Sequence, residues 1–477
     1  MEKIFFRVDA SDQIGYGHLV RCVSIAASLS KYEVHFISTE PIGDFLESQS
    51  TQKISFRKIE NSNDFFNLVS TNDTVIIDGY NFSSDYHLSI RKSGAKIIAI
   101  DDLAEQEFIA DIIINPTPLI KASDYQSVLH TQFLIGLNYA LLRPSFLDLA
   151  VYSSVEKESD SLFICFGGSD PLNKTKSALE ATIGSNAFEK IHVVLGPGYN
   201  HFESIEKLID NDTRVEYQRD LNEEKMVQLM SRSEYAILPS SGILLEGLAA
   251  KMKIISGFYI ENQKHVYQHH LELGSFVDAN NFSIEDIQNA LKIVKSHQPQ
   301  SDLIDGNSIK RITKSIDLLV KEQFCTFQKA EVQHTKKTFT WANDPIIRQF
   351  AFNKGAIPWV DHQSWFSSKV NAPDCYYGIL KYNDDFVGSI RFDIKDKIAL
   401  ISYLVAPEWH GQGFGTLLIK FGLQGLADEF NSVQISEVHG FVFPSNIAST
   451  KTFERFGFKS QAEKDVLLFS KKFSIHV

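Results

Sequence analysis

The stretch SDQIGYGHLVRC (Ser11–Cys22) gathers a histidine, an arginine and an aspartate around two glycines. A histidine side chain can take up or give a proton under physiological conditions, so His18 is a candidate general base. Gly15 and Gly17 allow a sharp turn and a close approach of main chain to a bound molecule. EKIFFRVDA, an apolar run, precedes the stretch, and LVRCVSIAASL, with helical spacing, follows from it. His18 therefore falls at a helix start, where amide N–H groups face outward. Taken alone, GYGH favours a capping or packed histidine over a functional one, and the other loops shift that balance. Arg21, one turn on, suits a phosphate, a carboxamide or an acidic side chain. Asp12 suits the imidazole or sugar hydroxyls.

Three further loops follow apolar runs. FGGSDPLNKT (Phe166–Thr175) offers the amides of Gly168 and Ser169 to a phosphate, and LPSSGILLEGLAAK (Leu238–Lys251) offers those of Ser241 and Gly242. Glu246, one turn into the second helix, can accept from two ribose hydroxyls or simply favour the helix dipole. In YIENQKHVYQHH, Asn262 and Gln263 bring amide side chains to the same edge. Asp101–Asp102 invites a metal, but no metal is expected. A separate loop, HGQGFGT (His410–Thr416), lines up successive amides with three glycines, which suits a pyrophosphate at a helix start.

Parallel strands covered on both faces must carry the first four loops. KIFFRVDA, YEVHFIS, TVIIDGY, KIIAIDD and DIIINP form one series, and SLFICFGGSD, IHVVLGPG, VEYQRD, YAILPSSG and KIISGFY a second. The expected class is α/β, with two doubly wound Rossmann-like lobes over residues 1–150 and 151–320. Residues 321–337, KEQFCTFQKAEVQHTKK, have the pattern of a helix end and connector. An α+β domain is expected over 338–477, with YYGILKYNDDFVGSIRFDI as a hairpin turning at YNDD. The 477 residues carry 43% hydrophobic residues and a formal net charge of −12, values that fit a soluble multidomain protein and argue against a general nucleic-acid binder. The four cysteines form no CxxC pair, no apolar run reaches a membrane span, and a cytoplasmic location is expected.

RVDASDQIGYGHLVRCVSIAASL, IIDGY, IDDLAEQEFIADIIINPTP, LLRPSF, FGGSDPLNKT and ENQ occur in an order that resembles the UDP-sugar hydrolases of pseudaminic acid biosynthesis, relatives of GT-B glycosyltransferases. The resemblance covers about residues 1–300. It implies metal-independent, inverting release of UDP from UDP-2,4-diacetamido-2,4,6-trideoxy-β-L-altropyranose. It further implies that His18 is the catalytic histidine, Asn262 the cleft asparagine with a catalytic role, and Glu246 the residue at the nucleotide ribose. The loop residues read above, Asp12, Gly15, Gly17, Arg21, Gly168, Ser169, Ser241, Gly242 and Gln263, are then expected to complete the substrate cleft. SSGILLEGLAAKMK departs from the family in lacking a Trp-Glu pair and a Gly-Leu-Pro sequence.

YLVAPEWHGQGFGTLLIKF and FPSNIASTKTFERFGF together resemble the acetyl-CoA core of the GNAT N-acyltransferases, giving a GT-B-like pair of lobes followed by a GNAT domain. Acetyl-CoA is then expected at Val405, His410, Gly411, Gln412, Gly413, Phe414, Gly415, Thr416 and Asn446. Phe453 stands where a tyrosine acid is usual, leaving His439, Glu437 and Tyr403 as candidates. Trp341, Trp359, His362 and Trp365 are aromatic candidates for facing a sugar or for packing a helix pair. The two resemblances imply consecutive steps on one UDP-amino sugar: acetylation of the 4-amino group, then loss of UDP. A glycosyltransferase with an accessory acyltransferase and a non-catalytic nucleotide-sugar-binding module are the alternatives.

Overall fold

The runs KIFFRV, EVHFIS, TVIID, KIIAI and IIIN form strands Lys3–Val8, Glu33–Ser38, Thr74–Asp78, Lys96–Ile100 and Ile112–Asn115 of a computed structural model. Thr74–Asp78 is buried at every position, as a central parallel strand covered by helices must be. Ser55–Lys58 and Gln132–Ile135 complete the sheet at its two edges. All its pairings are parallel, in the order Ser55–Lys58, Glu33–Ser38, Lys3–Val8, Thr74–Asp78, Lys96–Ile100, Ile112–Asn115, Gln132–Ile135. The structure describes residues 2–11, 13–49, 54–128, 130–152, 155–298, 303–430 and 434–473.

A second parallel sheet runs Val215–Arg219, Lys190–Leu195, Glu158–Ile164, Ser233–Pro239, Lys253–Gly257, Val277–Asp278. In both sheets the chain enters at a central strand, winds outward on one side and then returns to the other. The order therefore reverses between Lys3–Val8 and Thr74–Asp78, and again between Glu158–Ile164 and Ser233–Pro239. Ligands of open parallel sheets bind outside the strand ends at such reversals. The loops that leave these four strands are GYGH, DGY, GGSD and SSG.

The chain divides into two units, Met1–Ile316 and Asp317–Val477, and both parallel sheets lie in the first. The second unit has a seven-stranded sheet ordered Cys325–Lys329, Cys375–Tyr382, Asp385–Lys395, Ile398–Val405, Glu437–Val442, Val466–Lys472, Lys459–Glu463. Asn383 and Asp384 turn the expected hairpin with positive φ of 47° and 67°, the left-handed pair that matches strand twist. Leu417, Leu418 and Leu423 of helix Phe414–Glu429 pack with Ile390, Phe392 and Ile401. Ile398–Val405 and Glu437–Val442 are parallel, but their register runs only from Ile398↔Glu437 to Ile401↔Gly440. Beyond that point the two strands continue unpaired with each other.

The segment 321–337 differs from its expected role as a connector. Helix Ser308–Gln323 leads directly into strand Cys325–Lys329, which pairs antiparallel with Cys375–Tyr382. CTFQK has too few apolar residues to signal a strand alone, because its stability comes from side chains on the strand it joins.

Candidate functional site

In the first unit, helix Gly17–Ala26 carries His18 and Arg21 one turn apart, so both point from the same face. That face meets Asp78, the last residue of Thr74–Asp78 and fully buried. His18 Nδ1 lies 2.7 Å from Asp78 Oδ1. Arg21 donates to both Asp78 oxygens, from Nε at 2.5 Å and from Nη2 at 2.6 Å, and to both oxygens of Asp102 from Nη1, at 2.8 and 2.9 Å. Tyr80 donates its hydroxyl to Asp102 Oδ2 at 3.1 Å and sets its ring edge against the His18 ring.

Burial pushes the Asp78 carboxyl up, but the charges and hydrogen bonds of Arg21 and His18 outweigh this and hold it at about 2. An ionised carboxylate only accepts, so His18 Nδ1 carries the proton and Nε2 presents the lone pair of a base. Arg21 Nη2, 3.0 Å from His18 Nδ1, is then a second donor converging on the same Asp78 oxygen. The His18 side chain is 14% exposed, and Gly15, at φ +90°, has open space where a Cβ would stand. Gly17 is equally open.

Asp12 lies outside the described residues, and the orientation of the imidazole belongs to Asp78. Position alone signals Asp78: an acid closes a buried strand in TVIIDGY, and the strand adjoins the one that precedes His18. Asp101 and Asp102 turn to different partners. Asp102 holds Arg21, while Asp101 accepts from the Leu103 and Ala104 amides and the Tyr125 hydroxyl. Among the described residues no group of three or more His, Cys, Asp or Glu is placed to hold a metal.

At the second reversal, Gly168 and Ser169 are exposed, and Gly168 has open space before its Cα. Asp170 turns inward and caps helix Lys174–Ile183 by accepting from the Lys174 and Thr175 amides, both at 2.8 Å. Ser241 precedes helix Gly242–Ala249 without using its side chain as a cap, and Gly242 is exposed. Glu246 is buried and receives Arg143 of LLRPSF bidentately, Nε–Oε1 at 2.8 Å and Nη2–Oε2 at 2.9 Å. That leaves one further lone pair on each carboxylate oxygen. Asn262 is exposed. Gln263 is buried and folds back to accept from the Tyr259 amide at 3.2 Å, so it braces its loop. His265, just beyond, lies 3.3 Å from Glu105 of the first sheet's loops.

In the second unit, His410 Nε2 donates to the Val405 carbonyl at 2.8 Å, at the end of the strand that has left its parallel neighbour. Gly411 has φ +74° and open space before it, and Gln412 is exposed. Gly413 does not face open space: at φ +88°, its Cβ would lie 2.5 Å from Leu318 Cδ2. The Phe414 ring is core, so that residue has only its main chain to offer. Gly415 faces Tyr403 and Val405 at ordinary contact distance, and the Thr416 amide donates to Gly413 O. Asn446 caps helix Ile447–Arg455 by accepting from the Ser449 amide at 3.1 Å.

Phe453 is buried among Tyr403, Phe458 and Phe469, with its Cζ 2.6 Å from where a Gly440 Cβ would stand. Tyr403 donates its hydroxyl to Ser449 Oγ at 3.0 Å. His439 Nε2 lies 2.7 Å from Glu437 Oε2. Alternation along the strands puts Tyr403 and the His439–Glu437 pair on opposite faces of the sheet. Trp341 and His362 are buried packing residues, while Trp359 and Trp365 are exposed, the latter under the Arg391 guanidinium.

Residues 342–458 match the acetyltransferase (GNAT) family model. Over 96% of this chain and 96% of its own length, an uncharacterised protein of Methanocaldococcus jannaschii is 24% identical. The UDP-2,4-diacetamido-2,4,6-trideoxy-β-L-altropyranose hydrolase of Campylobacter jejuni is 29% identical over 55% of this chain and 93% of that enzyme. Among solved structures, spermidine N-acetyltransferase from Vibrio cholerae, in complex with CoA and spermine, aligns with 32% of this chain and 98% of its own at 15% identity and a TM-score of 0.29. The chain thus resembles a UDP-sugar hydrolase joined to a C-terminal GNAT domain.

Proposed function

We propose that this chain acts twice on one UDP-linked amino sugar of the pseudaminic acid route: the second unit acetylates its 4-amino group, and the first removes UDP from the diacetamido product. The His18–Asp78 pair carries the hydrolytic half of the proposal. Two parallel lobes of a GT-B-like kind present the loops at their strand-order reversals to the nucleotide sugar. A water on the anomeric carbon passes its proton to His18 Nε2 while the C–O bond to the diphosphate breaks, with inversion. Asp78 holds Nδ1–H throughout and stabilises the imidazolium that forms. The amides at Gly168–Ser169 and Ser241–Gly242 receive the departing diphosphate, Glu246 the ribose, and Asn262 the cleft side of the sugar.

For the second unit, the chemistry of the site fits acetyl-CoA, which supplies the activated acetyl group. Gly411, Gln412 and the amides opening helix Phe414–Glu429 would hold its pyrophosphate. The edge of Ile398–Val405 beyond Ile401, left without a strand partner toward Glu437–Val442, would lie along its arm. His439, with Glu437 behind it, is placed to take a proton from the acceptor amine. Burial keeps the Tyr403 hydroxyl protonated, so it could give a proton to the CoA thiolate that would leave as the acetyl group passes to the amine.

The test is product analysis by mass spectrometry and NMR on a panel of UDP-diamino sugars, with and without acetyl-CoA. The expected outcome is acetylation that needs acetyl-CoA and UDP release that needs only the diacetamido compound and water. UDP release that requires an acceptor sugar would mean a glycosyltransferase. Binding with no turnover in either half would mean a non-catalytic module.

A further inference from the structure

Beside the His18 pair lies a cavity of about 290 Å³. Two of its walls, Arg21 and Tyr80, touch His18. The charged groups on its walls already have hydrogen-bond or ion-pair partners. Arg21 is paired with Asp78 and Asp102, Asp101 accepts from two amides and Tyr125, and Glu105 faces His265. His87 of helix Ser84–Arg91 differs. It lines the same cavity and is 1% exposed, yet its Nδ1 has no hydrogen-bond partner among the described residues. A buried polar atom without a partner is costly, so such atoms mark places where a ligand or water completes the structure. Burial lowers the His87 imidazole to about 4, which leaves it neutral at ordinary pH. Ile77, Ala99 and Phe108 supply apolar wall around it.

A neutral hydrogen-bonding group set beside an apolar wall selects a ligand group with one polar and one methyl end. Resting on the hydrolase reading above, we infer that this cavity binds an acetamido group of the sugar, with its amide on His87 Nδ1 and its methyl against Ile77, Ala99 and Phe108. His87 is then a specificity residue. A free amine in place of that acetamido group would carry no methyl to fill the apolar wall of Ile77, Ala99 and Phe108. The N-terminal unit would accordingly release UDP after acetylation rather than before it.

The test uses the full-length chain and three ligands: UDP-2,4-diacetamido-2,4,6-trideoxy-β-L-altropyranose and the two analogues in which one acetamido group is a free amine. Affinity is measured by calorimetry, and UDP release in parallel, for wild type, His87→Leu and His87→Gln. Wild type is expected to favour the diacetamido ligand over one of the analogues. His87→Leu should shrink that preference about tenfold, and His87→Gln, which keeps a hydrogen-bonding group, should restore most of it. The same preference in all three proteins would overturn the inference, as would equal weakening toward all three ligands, which a merely structural role produces. Unaltered discrimination with normal UDP release leaves the hydrolase reading standing and removes only His87. His87-dependent discrimination without UDP release removes only the hydrolase. No binding of any ligand removes both.

Discussion

Asp78 and His18 are 60 residues apart in sequence, and their side chains meet at 2.7 Å, oxygen to Nδ1. The carboxylate is fully buried, and the geometry leaves Nε2 as the ring atom able to take a proton. Removing the base should cost about a hundredfold or more in UDP release from His18→Ala, with nucleotide affinity retained. Asp78→Asn should lose a comparable factor with His18 still present, since an amide no longer enforces the Nδ1–H tautomer. Steady-state UDP release and calorimetric UDP binding check both; wild-type-like turnover in either variant removes that residue from the mechanism.

Asp78 also ties stability to pH. Its folded-state value, about 2, lies below the ordinary aspartate value near 3.9, so the unfolded chain binds the proton first. The stabilisation is therefore fully present above about pH 4 and is lost as pH falls from there toward 2, on the order of 2 kcal/mol in all. Denaturant melts of the wild type across pH 5 to 2 should show this loss, and Asp78→Asn should lack that share of the slope. A parallel slope in the variant would contradict it.

Gly411 and Gly413 both have left-handed backbone, but only Gly411 looks onto open space. Asparagine tolerates that conformation better than other side chains, so it isolates the effect of space. Gly411→Asn is expected to raise the KM for acetyl-CoA about tenfold with little change in melting temperature. Gly413→Asn should lower the melting temperature through Leu318, whatever it does to the KM. Thermal melts with initial rates separate the two, and an unchanged KM in Gly411→Asn would sink the assignment of this loop to the pyrophosphate.

Phe453 is where the GNAT resemblance leads one to expect a tyrosine acid, yet its ring end is packed against Gly440. A hydroxyl added there is overpacked, so Phe453→Tyr should lose about 1–3 kcal/mol and gain no acetyl transfer. Tyr403→Phe should instead lower transfer while leaving UDP release from the diacetamido compound intact. Chemical denaturation and acetyl-transfer rates check these; a faster Phe453→Tyr enzyme would return the acid to position 453.

Local chemistry made much of this legible in the sequence. A short, β-branched apolar run such as TVIID bounded by turn residues signals a buried strand from its local pattern, and YNDD turns a hairpin on its own preferences. Glycine loops announce close approach without any knowledge of neighbours, and GYGH, GGSD and GQGFG are such loops. What those loops face is a different matter, because it depends on which strands become neighbours and in what register. Asp78 reaches His18 only because Thr74–Asp78 is laid beside Lys3–Val8. Arg143 reaches Glu246 across 103 residues, and Leu318 meets Gly413, turning a presumed ligand contact into a packing constraint. CTFQK is a strand only because Cys375–Tyr382 pairs with it. Residue type and spacing determined which groups are able to do chemistry here; long-range strand order, which no local pattern encodes, decided which of them are paired, buried or left open to a ligand.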